Sequence, residues 1–179
     1  MIEFLKKILL AVELFFVVLM VHWDKILFLA IVALDQFVKA KIVATMVPGE
    51  SIPIVQNFFH ITYVLNPGAA FGILPNQRIF FLIAGAILIV MATYFYPKIP
   101  RKENVLKFGA IRLVSGATAN LIDRVQSGLV VDFLDFKSWP VFNIADVAIV
   151  LGMFVMVYVI LFKMDAPQNL KTSAKELES

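Results

Sequence analysis

The chain has 179 residues, enough for one domain, and combines a hydrophobic fraction of 61% with a mean hydropathy of +0.89. Only 16% of the residues are charged, too few to cover the surface of a water-soluble fold, so we expect an integral membrane protein. The net charge of +3 comes with no basic patch interleaved with aromatic residues, and the lack of cysteine excludes thiol nucleophiles, disulfides and thiolate metal sites.

The N-terminal extension, residues 1–22, is apolar over Ile8–Val21, but this stretch is short and contains Glu13. Lys6 and Lys7 precede it, and the small-residue cleavage site of a secretory signal peptide is missing at its end. We expect the extension to form a helix in the cytoplasmic interface; an additional membrane span is the alternative.

Four later segments approach the roughly 20 mostly apolar residues that a helix needs to cross a bilayer. They are about Trp23–Ile42, Ile79–Tyr96, about Val105–Ile122, and Val147–Phe162. The second and fourth carry no charge, whereas the first and third contain polar residues that we expect to face the inside of a bundle. The predicted fold class is an all-α membrane protein, with a four-transmembrane-helix bundle over residues 23–163.

The distribution of lysine and arginine predicts the orientation, because cytoplasmic loops are enriched in both. The loop after the second span holds Lys98, Arg101 and Lys102, and Lys163, Lys171 and Lys175 lie in and just before the polar tail 164–179, which we expect to be cytoplasmic. Residues 45–77 contain neither residue type. We therefore place both ends of the bundle in the cytoplasm.

The two outward segments differ in character. Residues 45–66 are rich in β-branched and aromatic side chains and predict a small extracytoplasmic β element. Residues 125–142 are expected to form a loop in which Asp132 and Asp135 are solvated charges. We interpret Trp23 and Trp139 as anchors at the membrane interface.

Two quartets of the pattern N-x-x-D, 120–123 and 143–146, lie at the edges of the third and fourth spans. Residues three apart share a helix face, so each quartet presents an amide beside a carboxylate. In antiparallel spans, Asp123 and Asp146 would lie at the same depth, where ionisable residues are usually functional. Helix-end caps facing water are the structural alternative.

Four stretches together resemble bacterial lipoprotein signal peptidase, also called signal peptidase II. They are 35–39 (Asp-Gln-Phe-Val-Lys), 66–72 (Asn-Pro-Gly-Ala-Ala-Phe-Gly), 115–124 (Ser-Gly-Ala-Thr-Ala-Asn-Leu-Ile-Asp-Arg) and 142–146 (Phe-Asn-Ile-Ala-Asp). The resemblance implies a four-helix membrane aspartyl protease that cleaves a prolipoprotein before its diacylglyceryl-modified cysteine. It also implies that Asp123 and Asp146 form the catalytic dyad. In the third stretch Ser115, Thr118 and Ala119 replace the family's usual Gly, Leu and Gly.

Several further residues receive supporting roles. We expect a group of five to bind substrate or support the dyad: Asn66, Asn120, Arg124, Asn143 and Ala145. Asp35 and Lys39, four residues apart with the acid first, are expected to form a structural ion pair. Asn66 could also cap the segment that follows it, with Pro67 in the first turn.

The predicted reaction is hydrolysis by water, with the two carboxylates sharing one proton. No metal or cofactor is expected, and the expected partners are lipid-modified prolipoproteins and membrane lipids, not nucleic acid. The expected location is the bacterial cytoplasmic membrane, with several spans and an extracytoplasmic active site. A proton-coupled transporter and a non-catalytic assembly factor are the alternative functions. The serines Ser51, Ser115 and Ser127 would permit a Ser-Lys protease, although none lies in a matching motif.

Overall fold

The computed structural model describes residues 2–68 and 77–163, with the backbone alone for residues 2–21. The helices are α1 (Ile2–Thr45), α2 (Arg78–Phe95), α3 (Asn104–Gln126) and α4 (Ile144–Phe162), and a 3-10 turn, Tyr96–Lys98, follows α2. The strands are β1 (Ser51–Val55), β2 (Phe59–Asn66) and β3 (Val130–Asp135). Residues 69–72 of the second motif and the tail 164–179 lie outside the described residues.

Three helices in the described part of the chain are long and apolar enough to cross a membrane: Arg78–Lys98 with the 3-10 turn, Asn104–Gln126 and Ile144–Phe162. They match the second, third and fourth predicted spans. The first predicted span lies within α1, whose charged residues lower its hydropathy. The helix also extends back to Ile2, with a break in helical geometry at His22 (φ −117°, ψ 17°). An interfacial position of residues 2–21 stays a prediction.

Small residues bring α3 and α4 together more closely than larger side chains would allow. A Cβ atom on Gly116 would lie 2.3 Å from the carbonyl oxygen of Ala145. A Cβ on Gly152 would lie 2.6 Å from both the Gly109 oxygen and the Leu113 nitrogen. Because these are backbone atoms of the neighbouring helix, the two helices can pack at this distance only with glycine at these positions.

The β element is a three-stranded antiparallel sheet in the order β1-β2-β3. Residues 45–66, predicted to form a small β element, supply two of the strands, but the third comes from the expected loop 125–142. A third of that segment, Val130–Asp135, is a strand because its apolar side chains have a core to enter. The sheet packs on the end of α1 through one buried cluster of residues: Ile42, Met46, Tyr63, Val131 and Phe133.

The chain after β3 returns to the sheet before α4 begins. Leu134 and Phe142 exchange backbone hydrogen bonds of 2.8 and 3.1 Å, and the rings of Phe136 and Phe142 stack with centroids 5.9 Å apart. This return brings the first residues of α4 next to β3, and so joins the second quartet to the sheet.

Replacing Gly152 with alanine should destabilise the protein by about 1–3 kcal/mol, because the added methyl group overpacks against backbone. Thermal unfolding in detergent measures the effect. Gly85→Ala on α2 is the matched control, since its Cβ would meet only the movable end of Leu121, 3.1 Å away. An equal loss of stability in both variants would contradict the close-packing argument.

Candidate active site

A buried lysine lies at the centre of the polar interior. The Lys39 nitrogen is 2.7 Å from Asp35 Oδ2, 2.8 Å from Asp123 Oδ2 and 2.9 Å from Asn120 Oδ1. Lys39 is 3% exposed and Asp35 is fully buried. An ammonium group has three hydrogens and no acceptor, so these three oxygens satisfy it completely. The predicted pair of Asp35 and Lys39 is present, with Asp123 as a second carboxylate partner.

Asp123 is held by the protein on both oxygens. Its Oδ1 accepts a hydrogen bond from Gln36 Nε2 at 2.7 Å, and its Oδ2 accepts one from the Val131 backbone N–H at 3.2 Å in addition to the contact with Lys39. This carboxylate, predicted to be catalytic, therefore joins α1, α3 and β3 inside the protein.

Asp146 has a different environment, at the start of α4. Asn143 and Asp146 form a capping box: Asn143 Oδ1 accepts the Asp146 N–H at 2.8 Å, and Asp146 Oδ2 accepts the Asn143 N–H at 3.2 Å. The other carboxylate oxygen of Asp146, Oδ1, accepts a hydrogen bond of 2.7 Å from Asn120 Nδ2. Both quartet asparagines thus bond the Asp146 carboxylate, Asn120 through its side-chain amide and Asn143 through its backbone N–H.

The expectation that Asp132 is a solvated loop charge was wrong. Asp132 lies in β3 and is 2% exposed; its Oδ2 accepts from Asn66 Nδ2 at 2.8 Å, and its Oδ1 from Asn143 Nδ2 at 2.7 Å. Burial is the main cause that raises the pKa of Asp132 to about 7; the nearby charge of Asp146 also raises it, while the hydrogen bonds from the two amides and the charge of Lys39 lower it.

Asp135 is also buried, 6% exposed, and not a solvated charge. It accepts hydrogen bonds from Thr62 Oγ1 at 2.6 Å and from Lys137 Nζ at 2.8 Å. These partners attach the end of β3 to β2, so Asp135 has a structural role in the sheet.

A cavity of about 440 Å³ opens where α3, α4 and β3 meet. Its polar lining consists of Asn66, Asn120, Arg124, Asp132 and Asp146. Its apolar lining includes Trp139, Val141, Phe142, Val147, Val150 and Leu151. Asp123 is not among the lining residues, whereas Asp132 and Asp146 both are.

Some of the predicted supporting residues reach the cavity, and others are buried inside the protein. Asn66 and Arg124 reach the cavity, and Arg124 also donates to the Gly68 carbonyl at 3.0 Å while its guanidinium lies 4.7 Å from the centre of the Phe81 ring. Ala145 is fully buried, and its N–H donates to Asp35 Oδ1 at 2.8 Å. Asn66 Oδ1 accepts from the Gly68 N–H at 2.9 Å, and the segment that Asn66 was expected to cap lies outside the described residues.

The sequence did contain a signal for Asp132. It stands alone within the apolar run Val130–Leu134, and a single carboxylate in a strand buried on both faces must find partners inside the protein. Interpreting 125–142 as a loop hid this signal. The described residues contain no group of three or more His, Asp or Glu side chains placed to hold a metal ion.

A known protein family matches most of this chain. The family model described as Signal peptidase (SPase) II matches residues 27–162. The chain belongs to the signal peptidase II family. It is 44% identical over 151 residues to the lipoprotein signal peptidase of Pelotomaculum thermopropionicum, covering 84% of this chain and 96% of that protein. The relative from Desulforapulum autotrophicum is 43% identical over 141 residues, which is 74% of this chain and 87% of the relative.

Solved structures agree with the membership of the signal peptidase II family. A bacterial membrane enzyme determined by the in meso method at 2.3 Å resolution superposes with a TM-score of 0.77 at 32% identity, covering 81% of this chain and 91% of that one. A second, at 1.9 Å resolution, gives a TM-score of 0.72 at 33% identity, with coverages of 78% and 93%. The family match over residues 27–162 includes every residue that lines the cavity, and the chain is a protease whose fold resembles that of two bacterial membrane enzymes.

The burial of Asp132 predicts a pH-dependent stability. Since its folded-state pKa of about 7 exceeds the ordinary value of 3.8, stability is fully present below about pH 4 and is lost as the pH rises through 7. Asp132→Asn removes this titration but places one NH₂ group against the amide of Asn66 or Asn143. The melting temperature of Asp132→Asn minus that of the wild type, measured in detergent, should therefore be more positive at pH 8 than at pH 5. For Glu103→Gln, at the opposite end of α3, this difference should not change between the two pH values. A difference for Asp132→Asn that is equal at pH 5 and pH 8 would contradict this account.

Proposed function

We propose that this chain is an aspartic endopeptidase that removes the signal peptide from diacylglyceryl-modified prolipoproteins, with Asp132 and Asp146 as its catalytic dyad. This proposal keeps the predicted Asp146 and replaces the predicted Asp123. One observation carries it: Asp132 and Asp146 line the same cavity, whereas Asp123 is bound to Lys39 and Gln36 away from it.

The contacts of the two carboxylates support a water-activating pair. Neither has a cationic partner within ion-pair distance among the described residues; both accept hydrogen bonds from side-chain amides instead. Two nearby carboxylates in a buried site favour holding one proton between them around neutral pH. The ionised member then removes a proton from water, while the protonated member donates to the oxygen of the scissile carbonyl.

Two polar residues near the dyad are suited to hold the substrate backbone. Asn66 and Arg124 present N–H donors at the cavity, and donors of this kind can bind a peptide carbonyl or a developing oxyanion. Asn120 and Asn143 orient the carboxylates. The apolar residues that α4 contributes to the cavity offer a surface for the hydrophobic end of a signal peptide. The cavity thus has polar groups for the peptide backbone and apolar groups for the signal peptide.

The proposed location is the bacterial cytoplasmic membrane, with α1 as the fourth span and the cavity on the extracytoplasmic side. The end of α3, the start of α4 and the sheet form the cavity end of the bundle, whose connecting residues 45–68 contain no lysine or arginine. The opposite end carries Lys98, Arg101 and Lys102, which favours the cytoplasm for that end.

Asparagine substitutions distinguish the two possible dyads. Asp132→Asn and Asp146→Asn should each lower kcat on a lipidated prolipoprotein by about 10³-fold or more while the protein stays folded, since each removes a proton-transfer group but little volume. Asp123→Asn should chiefly lower the melting temperature, because breaking a buried ion pair costs about 3–5 kcal/mol. Activity is compared per folded enzyme. Substantial turnover by Asp132→Asn, with none by a folded Asp123→Asn, would favour the originally predicted pair.

The requirement for the lipid is a separate test of the substrate class. Apolar segments are common in membrane proteins, so apolarity alone cannot select a signal peptide. Each acyl CH₂ adds about 0.8 kcal/mol to anchoring, which fixes the modified cysteine and its preceding bond at one depth. One prolipoprotein, prepared with and without the diacylglyceryl group at equal concentration, should be cleaved only in the lipidated form. Equal rates would show that peptide sequence alone positions the bond.

A further inference from the structure

The side-chain amide of Asn120 lies between the buried ion cluster and the cavity. Its Oδ1 accepts from Lys39 Nζ at 2.9 Å and from Asn143 Nδ2 at 3.1 Å, and its Nδ2 donates to Asp146 Oδ1 at 2.7 Å. The residue is 6% exposed, so water does not compete for these groups. Everything that Asn120 does to Asp146 thus depends on which end of its amide faces the cavity.

Lys39 and Asn143 together fix that orientation, because both donate to the Asn120 oxygen. An ammonium group can only donate, so the atom of Asn120 that faces it has to be the oxygen. The NH₂ group must then face Asp146, whose carboxylate can accept. Turned by 180°, the amide would direct its hydrogens at the ammonium and its oxygen at the carboxylate, and both contacts would become repulsive.

The second amide, Asn143, is oriented without Lys39. Its Oδ1 accepts the backbone N–H of Asp146, which only an oxygen can do, so its Nδ2 has to face Asp132. Asn143 is thus fixed by the helix backbone, whereas Asn120 is held by Asn143 and by the buried charge of Lys39. Of these two partners of Asn120, Lys39 is the one that can be replaced without altering a direct contact of the dyad.

We propose that Lys39 is a positioning residue for catalysis: together with Asn143, its ammonium holds the Asn120 amide as a donor to Asp146, and it thereby contributes to the pH range in which the dyad holds one proton. This inference rests on the proposed dyad of Asp132 and Asp146. Lys39 does not line the cavity and is not expected to touch the substrate.

The charged groups around Lys39 determine the direction of the effect. They are Asp35 on α1, Asp123 and Arg124 on α3, Asp132 on β3, and Asp146 on α4. Lys39 is the buried cation that counters the carboxylates of this group, and its charge lowers the pKa of Asp132. Without the ammonium and the Asn120 donor, the active singly protonated dyad should persist to higher pH.

The test compares two variants that differ only at position 39. Asp123→Asn alone keeps the contact between Lys39 and Asn120. The double variant Lys39→Met/Asp123→Asn removes this contact. The summed charge of positions 35, 39 and 123 is then −1, as in the wild type, so the double variant adds no net negative charge to the cluster. Relative to Asp123→Asn, the double variant should show a kcat lowered about 10-fold or more and a pH profile of kcat displaced upward by about one unit. KM should change little.

A second variant keeps the inference testable if the double variant does not fold. Asn120→Leu keeps the branched shape of the side chain and both ion pairs of Lys39 while it removes the third oxygen partner of the ammonium, and it should displace the pH profile in the same direction. Lys41→Met is the matched control, because Lys41 is exposed on the same helix and lies over the Phe37 ring, 5.6 Å from its centre. It should have the wild-type profile.

The outcomes separate this inference from the proposed dyad. If Asp132→Asn and Asp146→Asn are inactive but the pH profiles of Asn120→Leu and of the folded double variant are unmoved, Lys39 has only a structural role and the inference is overturned. If Asp132→Asn or Asp146→Asn retains substantial turnover, the dyad itself is wrong. An upward displacement in both test variants, with Lys41→Met unchanged, supports the inference.

Discussion

The structure depends on one buried ammonium group and the oxygens that satisfy it. A charge removed from water is tolerated only with partners in good geometry. Lys39 has three, from α1 and α3, and Asp35 in turn accepts the Ala145 N–H at the start of α4. Three helices are thereby held in one register. Since lipid offers no hydrophobic force to drive helices together, polar contacts and close packing must specify the arrangement.

The same contacts divide the carboxylates into two functional classes. Asp35 and Asp123 neutralise the ammonium and have their remaining oxygens occupied by N–H donors of the protein. Asp132 and Asp146 have amide partners in place of a cation and face a cavity. Asp146 also lies in the first turn of α4, where the helix dipole favours negative charge. Two carboxylates with different surroundings are the usual basis for different acid and base roles.

The sequence predicted the elements that rest on local patterns. The three apolar helices, the two strands of residues 45–66 and the i,i+4 contact of Asp35 with Lys39 follow from periodicity and spacing, and each is present. The third strand and the burial of Asp132 depend on contacts between residues distant in the chain, such as Asn66 with Asp132, 66 positions apart. Spacing within a quartet could place Asn120 beside Asp123 but could not reveal that Asn120 bonds to Asp146 instead. That pairing is decided by how closely α3 approaches α4.

Ser115, Thr118 and Ala119 differ from the residues that the family usually has at these positions. The close approach of α3 and α4 explains why the site tolerates these differences. The position with no room for a side chain is Gly116, whose Cβ would meet the Ala145 oxygen, and this glycine is retained. Ser115 is fully buried yet satisfied by its own helix, because its hydroxyl donates to the Ile111 carbonyl at 2.6 Å. A larger residue at position 116 would push α4 away and carry Asp146 with it. A bond of 2.7 Å between Asn120 and Asp146 allows little such displacement. Gly116 therefore controls the geometry of the bond that Asn120, in the same motif, makes to Asp146.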